Sequence, residues 1–405
     1  MLLLLLACNS DSPGDSADPS AVQYNRDVAP ILRDNCVSCH QAGAIGPFGL
    51  EDYEQVSLLA NQVLDSVESR RMPPYLADAS GACNDYHDAK WLSEDEIATI
   101  RDWVDGGLVE GNPEDHPGAP DPLPELEEVS HTLDLGEVEV AFAQSSDAYR
   151  CFIVDPGVTE EGFLTGFEVL PGNPEIVHHL IVYAPSDEAA LAEAYELDDA
   201  DSGEGYTCFG DARVDASMLA SWAPGTSVNR YPEGTGIRVK PDMPVVVQMH
   251  YNNASDDHLD STKVNLQIEP QVETEMLSFF WVDATLNIPP GQESHSEESV
   301  VSLSDFGVPI ALNLWAVAPH MHKLGRSEQA WLEHEDGSET CLVDVPRWDF
   351  NWQLAYTFTE PVRVEPSDAI GMRCTYDSTS VDEVTNWGDG TQDEMCLLTM
   401  FVSLP

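Results

Sequence analysis

Three histidine groups and one methionine in the second half of the chain have the types and spacing of metal ligands. They are His178-His179, then His250 in Gln248-Met249-His250, then His320 with His322, and finally Met395. Side chains two apart on a strand point the same way, so His320 and His322 can chelate one ion from a rigid edge. Gln248 and His250 share a face by the same rule. Adjacent His178 and His179 would point to opposite faces; a bulge, or the use of different ring nitrogens, is needed to bring both to one ion. Imidazole suits zinc, copper or iron, whereas a thioether selects copper, Cu(I) above all. Spacing alone leaves open which histidines converge.

A second group lies nearer the start. Cys36-Val37-Ser38-Cys39-His40 has the pattern of covalent c-type haem attachment, with two thiols for the vinyl groups and an adjacent imidazole for the iron. Met72, followed by Pro73 and Pro74, is the candidate sixth ligand, and His87 is the runner-up. Methionine opposite histidine raises the potential and favours electron transfer over oxygen binding.

The elements that must position these residues differ between the two regions. Residues 22–108 read as a small helical unit. Val28, Ile31 and Leu32 share one helix face, and Val56, Leu59, Val63 and Val67 recur at helical steps. Ser93-Glu94-Asp95-Glu96 is a capping box opening a third helix that carries Ile97, Ile100, Trp103 and Val104 and stops at Gly106-Gly107. The acidic, proline-rich stretch 109–130 reads as a flexible linker, which would raise the local concentration of anything tethered by it to roughly millimolar. From 131 onward, alternation as in Phe163/Thr165/Phe167/Val169, Val245/Val247/Met249/Tyr251 and Leu312/Leu314/Ala316 predicts antiparallel strands. That region is long for one sandwich. Two in tandem are expected, 131–287 and 288–405, with the break at Ile288-Pro289-Pro290.

The helical unit with its haem motif resembles a class I cytochrome c domain. Val177-His178-His179-Leu180, Gln248-Met249-His250-Tyr251, His320-Met321-His322-Lys323-Leu324-Gly325 and Asp393-Glu394-Met395-Cys396 occur in an order that resembles the type II, ascorbate-dependent copper monooxygenases. This is the family of peptidylglycine α-hydroxylating monooxygenase and dopamine β-monooxygenase. The resemblance implies two tandem antiparallel, jelly-roll-like sandwiches with one copper each across an open cleft. It assigns His178, His179 and His250 to an electron-storing copper and His320, His322 and Met395 to the copper that binds oxygen. It adds Gln248 to the catalytic set and a Cys374–Cys396 disulfide beside Met395. The implied reaction inserts one atom of O2 into a substrate C–H bond, with electrons from an external donor, here delivered through the attached haem. Two departures bear on substrate. Where peptidylglycine enzymes carry an arginine two residues before the histidine matching His320, this chain has Ala318, and Leu397 and Thr399 follow Cys396 where an asparagine and a tyrosine are found. A carboxylate without a cationic partner binds poorly, so a small neutral or apolar organic substrate is expected.

Composition narrows the classes. In the 405 residues, 73 acidic against 17 basic side chains give a formal net charge of −56, which repels phosphate backbones and excludes nucleic-acid binding. Leu5-Leu6-Ala7-Cys8 resembles a bacterial lipobox, with Cys8 lipidated, residues 1–21 serving as signal and tether, and a periplasmic or outer-membrane location. The membrane would then be met only through a lipid anchor. Cys151 and Cys208 are a possible pair, and Cys83 and Cys341 have no assigned partner. The aromatic residues of Arg347-Trp348-Asp349-Phe350-Asn351-Trp352 read as sandwich core, and His116, His131, His258, His295 and His334 as solvated. The alternative class is a non-catalytic haem and copper electron carrier.

Overall fold

The computed structural model describes residues 21–42, 44–87, 89–119, 124–142, 147–208, 211–224, 228–305, 307–388 and 393–405. Cys8 and the tether up to residue 20 lie outside the described residues. Among those described, no helix is long and apolar enough to cross a membrane.

The first unit is helical, with α1 (Ala29–Asn35), α2 (Tyr53–Glu68) and α3 (Glu94–Asp105). Asp52 caps α2, and Ser93 with Glu96 forms a reciprocal capping box on α3. Val56, Ala60, Val63 and Val67 of α2 meet Ile97, Ile100 and Trp103 of α3 around Tyr24 and Leu32 in a core of their own. The stretch after 108, expected as a free linker, folds back at its start. The Tyr24 and Asn25 amides donate to the Val109 and Glu110 carbonyls, and Trp103 Nε1 donates to Val109.

From 131 the chain is β. A nine-stranded sheet runs through both halves, its strands in the order 131–134, 263–269, 162–170, 235–239, 274–282, 397–403, 312–320 and 356–364, with 228–230 off 162–170. A five-stranded sheet (206–207, 147–154, 245–252, 177–185, 216–222) covers one half, and a four-stranded sheet (295–302, 369–376, 325–333, 339–345) covers the other. Each face-to-face pair encloses a core: Val247, Met249 and Val182 meet Phe167, Val264 and Ile237 in the first, and Leu332, Val343 and Met372 meet Leu314, Leu398 and Val402 in the second. The halves join where Thr235–Val239 runs parallel to Thr274–Val282. That joining strand pairs along its length with Leu397–Ser403, so the change of sandwich falls ahead of Ile288-Pro289-Pro290. The prolines there punctuate a turn beyond the short strand Asn287–Ile288.

Bulges correct two of the expected alternations. Thr165 is the extra residue against Gln267/Ile268, so the inward face passes from Leu164 to Phe167 and Val169, and Phe163 is only half-buried. Trp315 is the extra residue between Leu314 and Ala316, which moves Ala316 out of the core that holds Leu312 and Leu314. One helix had no sequence expectation: α4 (Glu188–Ala200), capped by Asp187, covers the outer face of the five-stranded sheet.

Three disulfides are formed: Cys83–Cys341, Cys151–Cys208 and Cys374–Cys396. The first fastens the helical unit to the second sandwich. Around it the Asp78 amide donates to the Asp344 carbonyl at 2.7 Å, the His87 amide to Thr357 at 2.8 Å, and Tyr86 Oη to Leu342 at 2.9 Å. Leu76 and Tyr86 sit in the second sandwich's core beside Tyr356 and Phe358. The unit is therefore strapped down rather than hung on a linker. Replacing a ring this deeply buried leaves a cavity, so Tyr86→Ala should lower the denaturant-measured stability by about 3–5 kcal/mol. Tyr86→Phe, which loses one hydrogen bond, should cost about 1 kcal/mol.

Candidate metal centres

The strand Val245–Asn252 is buried on both faces. Val245, Val247, Met249 and Tyr251 enter the sandwich, while Val246, Gln248 and His250 face the other way. Its neighbour Val177–Pro185 pairs His179 directly opposite His250 and then Val177 opposite Tyr251, which leaves His178 as the bulged residue. The bulge turns His178 to the side of His179, and the ligand atoms of His178, His179 and His250 lie within 4.8 Å of one another. Nδ1 of His179 stands 3.4 Å from Nδ1 of His178 and 3.2 Å from Nδ1 of His250. A metal bound at about 2.0 Å in tetrahedral or trigonal geometry holds its nitrogens about 3.3–3.5 Å apart, so the pocket already has the dimensions of a coordination sphere.

The tautomer of His250 is set from outside. Its Nε2 lies 2.9 Å from Asp147 Oδ1, so the proton sits there and Nδ1 keeps its lone pair. The Tyr149 ring stacks on His250 at 4.1 Å with an 8° tilt. Burial, together with the neighbouring imidazole of His250, lowers His178 to about 3 and His179 well below the ordinary range. His320 also contributes to the His179 shift, so the second cluster is electrostatically within reach of the first.

In the second cluster the ring nitrogens are used the other way round. His320 Nδ1 bonds Gln353 Oε1 at 2.8 Å, and His322 Nδ1 bonds the Asp393 carbonyl at 3.0 Å. The Gln353 amide nitrogen donates to Phe350 at 3.1 Å, which fixes which end of that amide is the acceptor. Both imidazoles thus carry their proton on Nδ1 and present Nε2; that of His320 is buried with no hydrogen-bond partner. The rings are perpendicular, 5.3 Å apart. Burial, then the neighbouring His322, lowers His320 to about 3. The Trp315 bulge matters here, because it puts His320 on the Ala316–Ala318 face rather than the core face of Leu312 and Leu314. Next to Met395 in the chain, Glu394 is a buried carboxylate that accepts from the backbone amides of His322 at 2.9 Å, Leu324 at 2.5 Å and Met395 at 3.2 Å, which ties the Met395 segment to the His322 segment. Burial pushes Glu394 up to about 7 against those three donors.

One predicted site residue stands elsewhere. Gln248 gives its amide nitrogen to the Asp211 carbonyl at 2.8 Å beneath the Cys151–Cys208 bridge, so it backs His250 instead of facing a substrate. Met72 lines a cavity of about 290 Å³ with Tyr75, Lys90, Trp91 and Arg347, at the seam between the helical unit and the second sandwich. No hydrogen bond or ring contact joins Met72 to His40 among the described residues. Cys36 and Cys39 are the unbridged cysteines among those described. His40 Nδ1 lies 3.2 Å from the Phe48 carbonyl. Sequence reasoning did not reach Asp147, Tyr149, Gln353 or Glu394, because their roles depend on strand register and loop placement.

Two family models match the chain: copper type II ascorbate-dependent monooxygenase, N-terminal domain, over residues 133–258, and the C-terminal domain over residues 274–402. The chain belongs to this family. It is 24% identical over 291 residues to putative DBH-like monooxygenase protein 2 of Homo sapiens, covering 66% of this chain and 56% of that protein. It is 24% identical over 275 residues to peptidyl-glycine alpha-amidating monooxygenase A of Xenopus laevis, covering 66% and 27%. It is 24% identical over 365 residues to tyramine beta-hydroxylase of Caenorhabditis briggsae, covering 80% and 56%. The chain thus spans about half the length, or less, of these relatives.

The depressed proton affinities have a sign that can be tested. An imidazole in water titrates near about 6.5. In the copper-free protein the ring resonances of His178 and His320 should stay in their neutral positions from pH 8 down to about 4 by NMR. The unfolded chain protonates these rings and the folded one does not. Their contribution to stability is therefore whole above about 6.5 and is lost as pH falls toward about 3.

Proposed function

We propose that the protein is a copper-dependent monooxygenase that hydroxylates a C–H bond of a small, neutral or apolar organic molecule. The observation that carries this is the opposed use of ring nitrogens: three Nδ1 atoms converge in one half, while in the other His320 and His322 are both held through Nδ1, which leaves their Nε2 atoms as the donors. His178, His179 and His250 would hold a copper by nitrogen alone. His320, His322 and Met395 would hold one through a mixed nitrogen and thioether set, which favours copper over zinc. Copper at the two sites supplies one-electron storage and oxygen activation; one oxygen atom enters the substrate, and the other leaves as water after two electrons and two protons. The chain's part is to hold the donors and exclude a proton from them. Asp147 keeps the His250 proton on Nε2, Gln353 and the Asp393 carbonyl keep protons on the Nδ1 atoms of the second pair, and Glu394 ties the two ligand segments together.

The surface next to His320 supports an uncharged substrate. Ala318 and Thr399 are cross-strand partners, as are His320 and Leu397, so the departures noted in the sequence sit side by side without a guanidinium among them. Lys323 lies over the Phe350 ring, 5.9 Å from its centroid.

Electrons are supplied by a c-type haem on the helical unit. Cys36 and Cys39 would form the thioethers and His40 the proximal bond, which fits two unbridged thiols in a chain whose other described cysteines are all paired. Met72 is the proposed sixth ligand. Lys90, which lines the cavity with Met72, also acts electrostatically on Cys39. An external redox protein or small reductant would refill the haem, and a lipid on Cys8 would anchor the protein to an outer membrane.

Under labelled dioxygen the purified protein should place one heavy oxygen atom in a product detected by mass spectrometry. Met395→Ile should abolish this while leaving one copper bound. Retained labelling in that variant would remove the second cluster from the chemistry. A haem-specific absorbance spectrum, lost in the Cys36→Ser/Cys39→Ser variant, tests the electron supply separately.

A further inference from the structure

The seven residues from Arg347 to Gln353 touch the helical unit and both histidine clusters. Arg347 Nη2 donates to the Arg70 carbonyl, at the rim of the cavity that Met72 lines, at 2.5 Å. Trp348 Nε1 donates to the His322 carbonyl at 3.2 Å, and its ring stands edge-on to His320 with centroids 6.4 Å apart. Phe350 is edge-on to His322 at 6.1 Å, and Gln353 bonds His320. Trp352 then reaches the other cluster, its ring 5.6 Å from that of His178. Sandwich packing does not require an indole against a histidine of the opposite half. Trp348 belongs to the second core and Trp352 packs against it, as expected for these rings, but core packing alone does not account for the contact of Trp352 with His178.

We propose that Arg347–Gln353 is the electron path of the molecule. Electrons enter from the helical unit at Arg347, reach the His320–His322 site through Trp348, and cross to the His178–His179–His250 site through Trp352. The path rests on the reading of both clusters as copper sites and of Cys36, Cys39 and His40 as haem ligands. It runs through bonded atoms and ring contacts. Each transfer moves one electron and no atoms. Haem Fe(II) becomes Fe(III) as one Cu(II) becomes Cu(I), and that Cu(I) then returns to Cu(II) as it reduces the second. The tryptophans end each step unchanged.

The test uses the full chain, oxidised and copper-loaded, without dioxygen or substrate. A flash-excited external photoreductant injects one electron, and the haem absorbance and freeze-quenched Cu(II) resonance are followed. Trp352→Ala should slow equilibration between the two coppers at least tenfold and leave haem reoxidation unchanged; Trp348→Ala should slow haem reoxidation by a similar factor. Trp352→Leu, which fills the space without a conjugated ring, carries the test if Trp352→Ala loses copper, and Trp352→Phe should restore part of the rate. Copper content is measured on the same samples. A wild-type chain without two coppers overturns the copper reading and the path with it, and one without haem overturns the haem reading and the entry of the path at Arg347. Two coppers with wild-type rates in both alanine variants overturn the path alone.

Discussion

Imidazole lone pairs brought together repel one another unless a proton or a cation lies between them, and this chain holds three imidazole Nδ1 atoms 3.2 and 3.4 Å from a neighbour in a buried site. Protonation would relieve the repulsion, but burial makes a charged ring costly there. Asp147 also holds the one shared proton of His250 on the far nitrogen. The arrangement is satisfied by a cation that accepts all three pairs. The remaining architecture serves this constraint: α4 and the Cys151–Cys208 bridge cover the outer face of the sheet, and Gln248 is tied to Asp211 behind the ligand strand.

Strand parity explains why bulges stand at both centres. With a period of two, His178 and His179 diverge, and His320 falls on the same face as Leu312 and Leu314. One extra residue at His178 and one at Trp315 reverse both outcomes. A bulge is an interruption of hydrogen bonding that a buried strand tolerates only when something is gained. Here it delivers donors to the side where the sandwiches meet.

The clustered histidines were legible in the sequence because their types and pairwise spacing are rare in combination, and the capping box of α3 was legible because it is local. The contradiction between adjacent His178 and His179 was visible too, together with the bulge that resolves it. What stayed hidden was long-range. Nothing near Cys83 announces Cys341, 258 positions away, and the docking of Tyr86 into a β core cannot be read from an aromatic residue in a loop. Glu394 and Asp147 look like two more of 73 acidic residues until register sets them against His322 and His250. The loop aromatics were assigned to the core on composition, which held for Trp348 and missed the reach of Trp352 to His178.

The strap around Cys83 gives the helical unit a fixed seat on the second sandwich, so any redox group it carries has a defined neighbour instead of a diffusing one. X-ray absorption at the copper edge of the reduced, fully loaded protein tests the central claim most directly. The account predicts two coppers per chain bound by imidazole, with one sulfur ligand for every two metal ions, lost in a methionine-free variant at 395. A single copper, or two with no sulfur in either sphere, would contradict it.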